Sequence, residues 1–316
     1  MAKYLVTGGA GFIGSNLVDE LLKRNHTVRI IDNLSTGYAH NIPKGVELVK
    51  ADIRDKAKVR KAMKGMNGVF HFAASRAVLR SVDNPVETDE INVGGTLNLL
   101  VAARDAGVKR FVFSSSSSVY GETKEPVLNE KHLPAPCSPY AATKIMGEYY
   151  LSIFSKLYGL ETVSLRYFNV FGPRQNPESK YSAVIPIFID ALLKEKSPEI
   201  HWDGKQSRDF SYVDNVVLGN ILAMTTPKAD GGVFNIACHE EFSILEMYRE
   251  LQRILNKKHV KPIFKPKRAG DIRRTLADIT QAKKVLGFKV QTRFIDGLEK
   301  TVDWFLKSDV LNKKKK

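Results

Sequence analysis

Apolar positions along the first 120 residues follow two alternating rhythms. Short runs rich in β-branched residues at Tyr4–Thr7, Thr27–Asp32, Val46–Lys50, Val69–Ala73 and Arg110–Ser114 read as strands. Between them lie amphipathic stretches with apolar residues three to four apart, which read as helices over Ile13–Asn25 and around Val93–Ala106. Strands alternating with helices of crossover length predict an α/β fold with a doubly wound parallel sheet and helices on both faces. Sheets of that kind bind ligands at the carboxyl ends of their strands. After about Gly172 the rhythm weakens. A stretch read as loop-rich, with Pro173, Pro177, Pro186 and Pro198, precedes a helical segment at Ile244–Asn256 and a basic run to Lys267. This predicts a smaller C-terminal α/β lobe. The apolar Gly232–Ile236 is suited to rejoin the sheet, so the expected units interleave: 1–172 with 209–237, and 173–208 with 238–316.

Composition narrows the class without naming a chemistry. The 316 residues, 43% hydrophobic and 26% charged, have the balance of a globular chain and length for one large or two modest domains. No apolar run approaches the ~18–20 residues that span a bilayer, and the start reaches Gly8 before a signal-peptide core can form. A cytoplasmic protein without a membrane segment is expected. Cys137 and Cys238 lack the spacing of a zinc site or disulfide framework, so no metal is expected. The net charge of +15 and pI of about 9.6 invite a nucleic-acid reading. Against it, the lysines are scattered, and the clusters at Lys257–Arg268 and Lys313–Lys316 have no interleaved aromatic stacking platform. Solvated surface is the favoured reading, although a nucleoside-diphosphate ligand would also use a positive field.

Three motifs carry candidate chemistry. Thr7-Gly8-Gly9-Ala10-Gly11-Phe12-Ile13-Gly14 follows a predicted strand and opens a predicted helix. Glycines at 8, 11 and 14 let the backbone turn tightly and approach a pyrophosphate seated on the helix N-terminus, a Rossmann-type arrangement. The second strand ends at Asp32, where a carboxylate accepts hydrogen bonds from the adenosine ribose and repels a 2′-phosphate. Asn33-Leu34-Ser35 offers no arginine to that phosphate, which favours NAD over NADP. Further on, Tyr140 and Lys144 stand four apart on a helix expected to run to about Tyr158. An ammonium beside a phenol favours the ionised form and makes tyrosine a usable base; alone, the pair is ordinary surface decoration. The serine run Ser114–Ser118 closes an apolar strand and places hydroxyls where a ligand is expected.

Together these motifs resemble the extended short-chain dehydrogenase/reductase family, and within it the nucleotide-sugar 4-epimerases that act on UDP-glucose or UDP-N-acetylglucosamine. The resemblance covers nearly the whole chain. It is carried further by His71-Phe72-Ala73-Ala74, Asn92-Val93-Gly94-Gly95-Thr96, Val119-Tyr120-Gly121, Ser138-Pro139-Tyr140, Leu165-Arg166-Tyr167-Phe168-Asn169, Ser207-Arg208-Asp209-Phe210 and Arg268-Ala269-Gly270-Asp271. It implies NAD as cofactor, with contacts at Gly8, Phe12, Ile13, Asp32, Asn33, Asp52, Ile53, Phe72, Ala73, Ala74, Asn92, Ser114 and Tyr167. Ser116 and Tyr140 would be the catalytic hydroxyl and acid/base, with Lys144 on the nicotinamide ribose and Ser117 near the sugar. Asn169, Arg208 and Arg268 would hold the substrate diphosphate, for which arginine forks are well shaped. Asp271 and Thr275 belong to a segment bordering the sugar.

The implied reaction is epimerisation through a transient 4-keto sugar, with no net redox. Dehydratases and decarboxylases of the family carry an acidic residue just after the catalytic hydroxyl; Ser117-Ser118-Val119 has none. A uronate 4-epimerase is the nearer alternative. Tyr167-Phe168-Asn169-Val170-Phe171-Gly172 with Arg174-Gln175-Asn176-Pro177 looks more like epimerases of N-acetylated UDP-hexosamines. Thr275 stands where epimerases restricted to plain hexoses place a bulky tyrosine, which favours UDP-GlcNAc/UDP-GalNAc alongside UDP-glucose/UDP-galactose. A non-catalytic NAD sensor or nucleic-acid binder is the distant alternative, and the retention of Ser116, Tyr140 and Lys144 speaks against it. A homodimer is expected, with Leu97, Leu100, Val101, Tyr149, Ile153 and Leu157 either forming the contact or facing the sheet.

Overall fold

The structure is a computed structural model in which residues 1–76, 78–176, 183–267 and 272–308 are described. Its main sheet contains β1 (Lys3–Thr7), β2 (Thr27–Asp32), β3 (Glu47–Lys50), β4 (Gly68–His71), β5 (Arg110–Ser116), β6 (Glu161–Tyr167) and β7 (Val233–Ile236). Their spatial order is β7-β6-β5-β4-β1-β2-β3, and every neighbouring pair is parallel. The chain therefore winds outward one way from β1 and the other way from β4. The loops leaving those two strands diverge, which opens a crevice at their carboxyl ends.

Alternation within each strand builds the two helical layers. On β1, Leu5 joins one apolar cluster with Val59, Met63, Leu99, Phe111 and Leu151, while Tyr4 and Val6 join another with Leu17, Val18, Val28, Phe70 and Val163. The first face is covered by α2 (Lys56–Met63), α3 (Gly95–Asp105) and α4 (Pro139–Tyr158), and the second by α1 (Phe12–Lys23) and α5 (Val213–Thr225). Smaller sheets pair Val170–Phe171 with Ser211–Tyr212, set Ser207–Asp209 between Glu241–Ser243 and Arg274–Thr275, and pair Glu199–His201 with Ile263–Lys265. Helices Ile244–Ile254 and Phe294–Lys307 pack beside them.

The expected strands and helices are present within a few residues, with instructive exceptions. β5 extends two residues into the serine run, because Ser115 and Ser116 pair with Arg166 and Tyr167 of β6. Pro186, read as loop, sits in the first turn of helix Val184–Leu193, where a missing N–H costs no hydrogen bond. A π-helical turn at Glu90–Gly94 leads into α3, so the expected start at Val93 falls inside that turn. Leu100 is fully buried against the sheet, whereas Tyr149, Ile153 and Leu157 are 56%, 44% and 70% exposed on the outer face of α4. Among the described residues, no helix is long and apolar enough to cross a membrane.

Candidate active site

The β1 and β4 loops meet at the base of a cleft of about 620 Å³. Gly8 has φ of 68°, and a Cβ there would lie 2.8 Å from the Ala73 nitrogen. At Gly14 a Cβ would lie 2.3 Å from the Gly8 carbonyl oxygen, so larger residues would push the loop apart. Gly11 precedes α1 without any side-chain cap, which leaves first-turn N–H groups to an incoming anion. At the end of β2, Asp32 accepts hydrogen bonds from the Ala10 and Leu34 N–H groups at 3.0 and 2.8 Å. Two fixed oxygens, each with a lone pair to spare, suit a ribose diol. These features fit a dinucleotide.

Phe12, Ile13, Asn33, Asp52, Ile53, Phe72, Ala73, Ala74, Ser114 and Tyr167 also line the cleft, as expected of cofactor contacts. Asp52 is gripped by Arg54 at 3.0 Å and by Asn33 at 3.3 Å, and the Arg54 hydrogen bonds hold its carboxyl below the usual range. Tyr167 donates to Asn220 at 3.0 Å, and burial pushes its phenol well up. Asn92, also expected among the cofactor contacts, is buried and is not among the residues that line the cleft. Its Oδ1 accepts from the Ser75 N–H at 2.7 Å, and its Nδ2 donates to the Ser75 carbonyl and Thr143 Oγ1 at 3.1 and 3.0 Å. With its polar atoms spent, Asn92 ties the β4 exit loop to α4.

Above the cofactor loops stands the β5–α4 junction. Ser138 caps α4 by accepting from the Ala141 N–H, Pro139 occupies its first turn, and Gly159 ends it in the left-handed conformation. Gly147 lets the helix ride close to the sheet, since a Cβ there would lie 2.4 Å from the Phe113 ring. Tyr140, the second residue of the helix, lies close enough to Ser116 for that hydroxyl to favour its phenolate form, and Ser116 Oγ accepts from the Ser118 N–H at 3.2 Å. Lys144 donates to the Ser114 carbonyl at 2.7 Å, and its Nζ lies 5.7 Å from the centre of the Tyr140 ring. All three side chains face the cleft.

The electrostatics differ from the expectation in one respect. Burial pulls the Lys144 ammonium down from 10.5 to about 7, opposed by the nearby Glu148 charge. Burial also raises the Tyr140 phenol, opposed by its Ser116 hydrogen bond and by the charge of Arg76. In the ligand-free chain, Lys144 therefore loses its charge before Tyr140 titrates. The cation then acting on the phenol is Arg76, which the sequence reading passed over. Its position two residues beyond His71-Phe72-Ala73-Ala74 was the available signal.

On the substrate side, Ser117, Asn169, Arg208 and Thr275 line the cleft with Arg174. Asn169, at φ of 30°, donates to the Asp209 carbonyl at 3.3 Å and to Thr275 Oγ1 at 3.4 Å, which joins two sequence-distant candidates. Arg208 donates to the Ser207 carbonyl at 2.8 Å. Arg268 and Asp271 lie outside the described residues. Ser35, Thr36, Gly37 and Tyr38 were also missed. They fold over the glycine loop, with the Tyr38 N–H bonded to the Ala10 carbonyl at 3.1 Å.

Comparison with known proteins agrees with this geometry. The sequence pattern of the NAD dependent epimerase/dehydratase family matches residues 4–237. A UDP-glucose 4-epimerase of Mycolicibacterium smegmatis is 40% identical over 313 residues, covering 95% of this chain and 97% of the relative. The structure of UDP-N-acetylglucosamine 4-epimerase from Methanobrevibacter ruminantium, in complex with UDP-N-acetylmuramic acid, superposes with a TM-score of 0.92. It is 41% identical and covers 96% of this chain and 98% of its own. The Thermus thermophilus UDP-glucose 4-epimerase complex with NAD gives a TM-score of 0.90 at 37% identity, covering 97% and 99% of the two chains. With the glycine cradle, Asp32 and the Ser116–Tyr140–Lys144 set in one cleft, the chain belongs to the NAD-dependent epimerase/dehydratase family and is an NAD-dependent enzyme of the extended short-chain dehydrogenase/reductase type.

Proposed function

We propose that this enzyme interconverts the C4 epimers of UDP-hexoses, accepting UDP-GlcNAc/UDP-GalNAc as well as UDP-glucose/UDP-galactose. The observation that carries this reading is that Tyr140 and Ser116 stand together at the carboxyl end of β5, beside Lys144 and facing the same cleft as the glycine loop. Bound NAD supplies a reversible hydride acceptor at the sugar C4. Tyr140 as phenolate removes the C4 hydroxyl proton, Ser116 hydrogen-bonds the reacting oxygen, and the charge of Arg76, joined by Lys144 in its protonated form, stabilises the phenolate. The proton held by Tyr140 returns to the oxygen when the 4-keto sugar is reduced on its other face. Asn169, Arg208 and Arg268 hold the diphosphate while the sugar turns. Residues 1–172 with 209–237 serve the cofactor, and 173–208 with 238–316 the UDP-sugar.

The short Thr275 side chain, bonded to Asn169 at the cleft wall, supports room for a 2-acetamido group. A second reading, a uronate 4-epimerase, is favoured by the surplus of cations in the cleft: Arg76, Arg80, Lys144, Arg174 and Arg208 against Asp32 and Asp52. The exposed row Met146, Tyr149, Ile153 and Leu157 on α4 supports a homodimer built on that helix. Purified protein, without added NAD, is incubated separately with UDP-GalNAc, UDP-galactose and UDP-galacturonate, and the epimers are resolved by NMR. Conversion of the first two is expected. Conversion of UDP-galactose alone would refute the role given to Thr275, and conversion of the uronate alone would establish the second reading.

A further inference from the structure

One helix face is matched residue by residue to one strand end. Tyr140, Lys144 and Glu148, four apart on α4, meet Ser116 Oγ, the Ser114 carbonyl and Ser115 Oγ of β5 respectively, the last at 2.5 Å. The reading above uses the first two contacts and leaves Glu148 unassigned. Its carboxylate is 6% exposed and is gripped by Arg166 of β6, Nε to Oε1 at 2.9 Å and Nη2 to Oε2 at 2.7 Å. Burial works against the Arg166 charge, but its bonds to Glu148 more than compensate and hold it above the ordinary range. The guanidinium carbon also lies 4.8 Å from the centre of the Tyr120 ring.

We infer that the Glu148–Arg166 pair is a positioning element for catalysis: it registers α4 on β5 and sets the protonation of Lys144. The inference deepens the proposed function and rests on it for the roles of Tyr140 and Lys144. A buried ion pair is a poor source of stability when apolar residues fill the same space as well, so its placement one turn below Lys144 calls for another use. The charged and titratable groups that act on Lys144 are Tyr140 and Glu148 on its own helix and His71 on β4, while Arg166 of β6 is held to Glu148. Beyond them, Arg76 acts on Tyr140, and Tyr120 and Glu130 act on Arg166. Of these, Glu148 is the anion that favours the Lys144 ammonium.

The test needs neither substrate nor turnover. Trace acetylation of the Lys144 amine by acetic anhydride, quantified by peptide mass spectrometry across pH, yields the midpoint of its deprotonation. Glu148→Gln should lower that midpoint by about one pH unit, as expected for losing an opposite charge nearby. The double variant Glu148→Gln/Arg166→Met, which removes both members of the ion pair and so leaves no unpaired Arg166 charge, should retain the lowered midpoint even if the single variant folds poorly. In the epimerase assay, both variants should lose about tenfold in kcat near neutrality with a smaller change in KM. A midpoint unmoved in a folded variant, with only thermal stability reduced, would overturn the inference and leave the pair as a strut. A moved midpoint without epimerase activity in the wild type would uphold the inference about Lys144 and reject the reaction assigned to it.

Discussion

Replacing Lys144 with methionine should stabilise the ligand-free protein while removing its activity. The side chain is 4% exposed, and burial lowers its pKa from 10.5 to about 7. The folded chain thus releases this proton at about pH 7, whereas the unfolded chain holds it up to 10.5. Between those limits the unfolded state binds more protons, so this group makes stability rise with pH across the window. Below about pH 7 the folded protein bears the whole cost. At about 1.4 kcal/mol per pH unit that is a ceiling of about 5 kcal/mol. Methionine fills similar space without a charge but forfeits the hydrogen bond to the Ser114 carbonyl, worth about 1–2 kcal/mol. A net gain of at most about 3–4 kcal/mol is expected at pH 6.5. Above pH 10.5 lysine is neutral in both states, and the gain should become a loss of about 1–2 kcal/mol. Urea unfolding of NAD-stripped wild type and variant across this range measures the difference directly. A variant less stable than wild type at every pH, by a constant amount, would refute the reasoning.

Three further substitutions test separate parts of the site. Tyr140→Phe should reduce epimerisation by at least about a thousandfold, in keeping with loss of a general acid/base, with NAD content unchanged on extraction; surviving turnover would move the acid/base elsewhere. Gly14→Ala, whose Cβ would fall 2.3 Å from the Gly8 carbonyl oxygen, should deplete bound NAD in the purified protein, measured by absorbance after denaturation. Thr275→Tyr should abolish conversion of UDP-GalNAc with UDP-galactose conversion largely kept; equal loss for both sugars would assign Thr275 to the diphosphate site through its Asn169 contact.

Much of this architecture was legible because the strands of a parallel sheet are apolar runs punctuated by glycine loops. The glycine cradle, Asp32 and the Tyr140–Lys144 spacing are local signals, and each stands where the chain order put it. β6 was not read as a strand from its pattern because Ser164 and Arg166 interrupt the apolar run. The polarity is tolerated because Glu148, eighteen residues away, neutralises the arginine. α5 and the C-terminal helix went unread for a different reason. The first is buried on several sides and shows little periodicity, and the second begins after Arg293 with no side-chain cap to mark its start. Arg76 and the Ser35–Tyr38 loop lie on connections, where no repeating pattern marks a side chain as facing the site. Asn92 shows the converse: a family motif named the residue, and the fold spends its polar atoms on Ser75 and Thr143.

The central claim, that C4 is oxidised and reduced within one closed cycle, is tested most directly with UDP-galactose deuterated at C4 and no added NAD. The account predicts UDP-glucose that retains deuterium at C4 in solvent water, because the hydride leaves and returns without exchange. Product with protium at C4, or epimerisation that proceeds equally well in Tyr140→Phe, would contradict it.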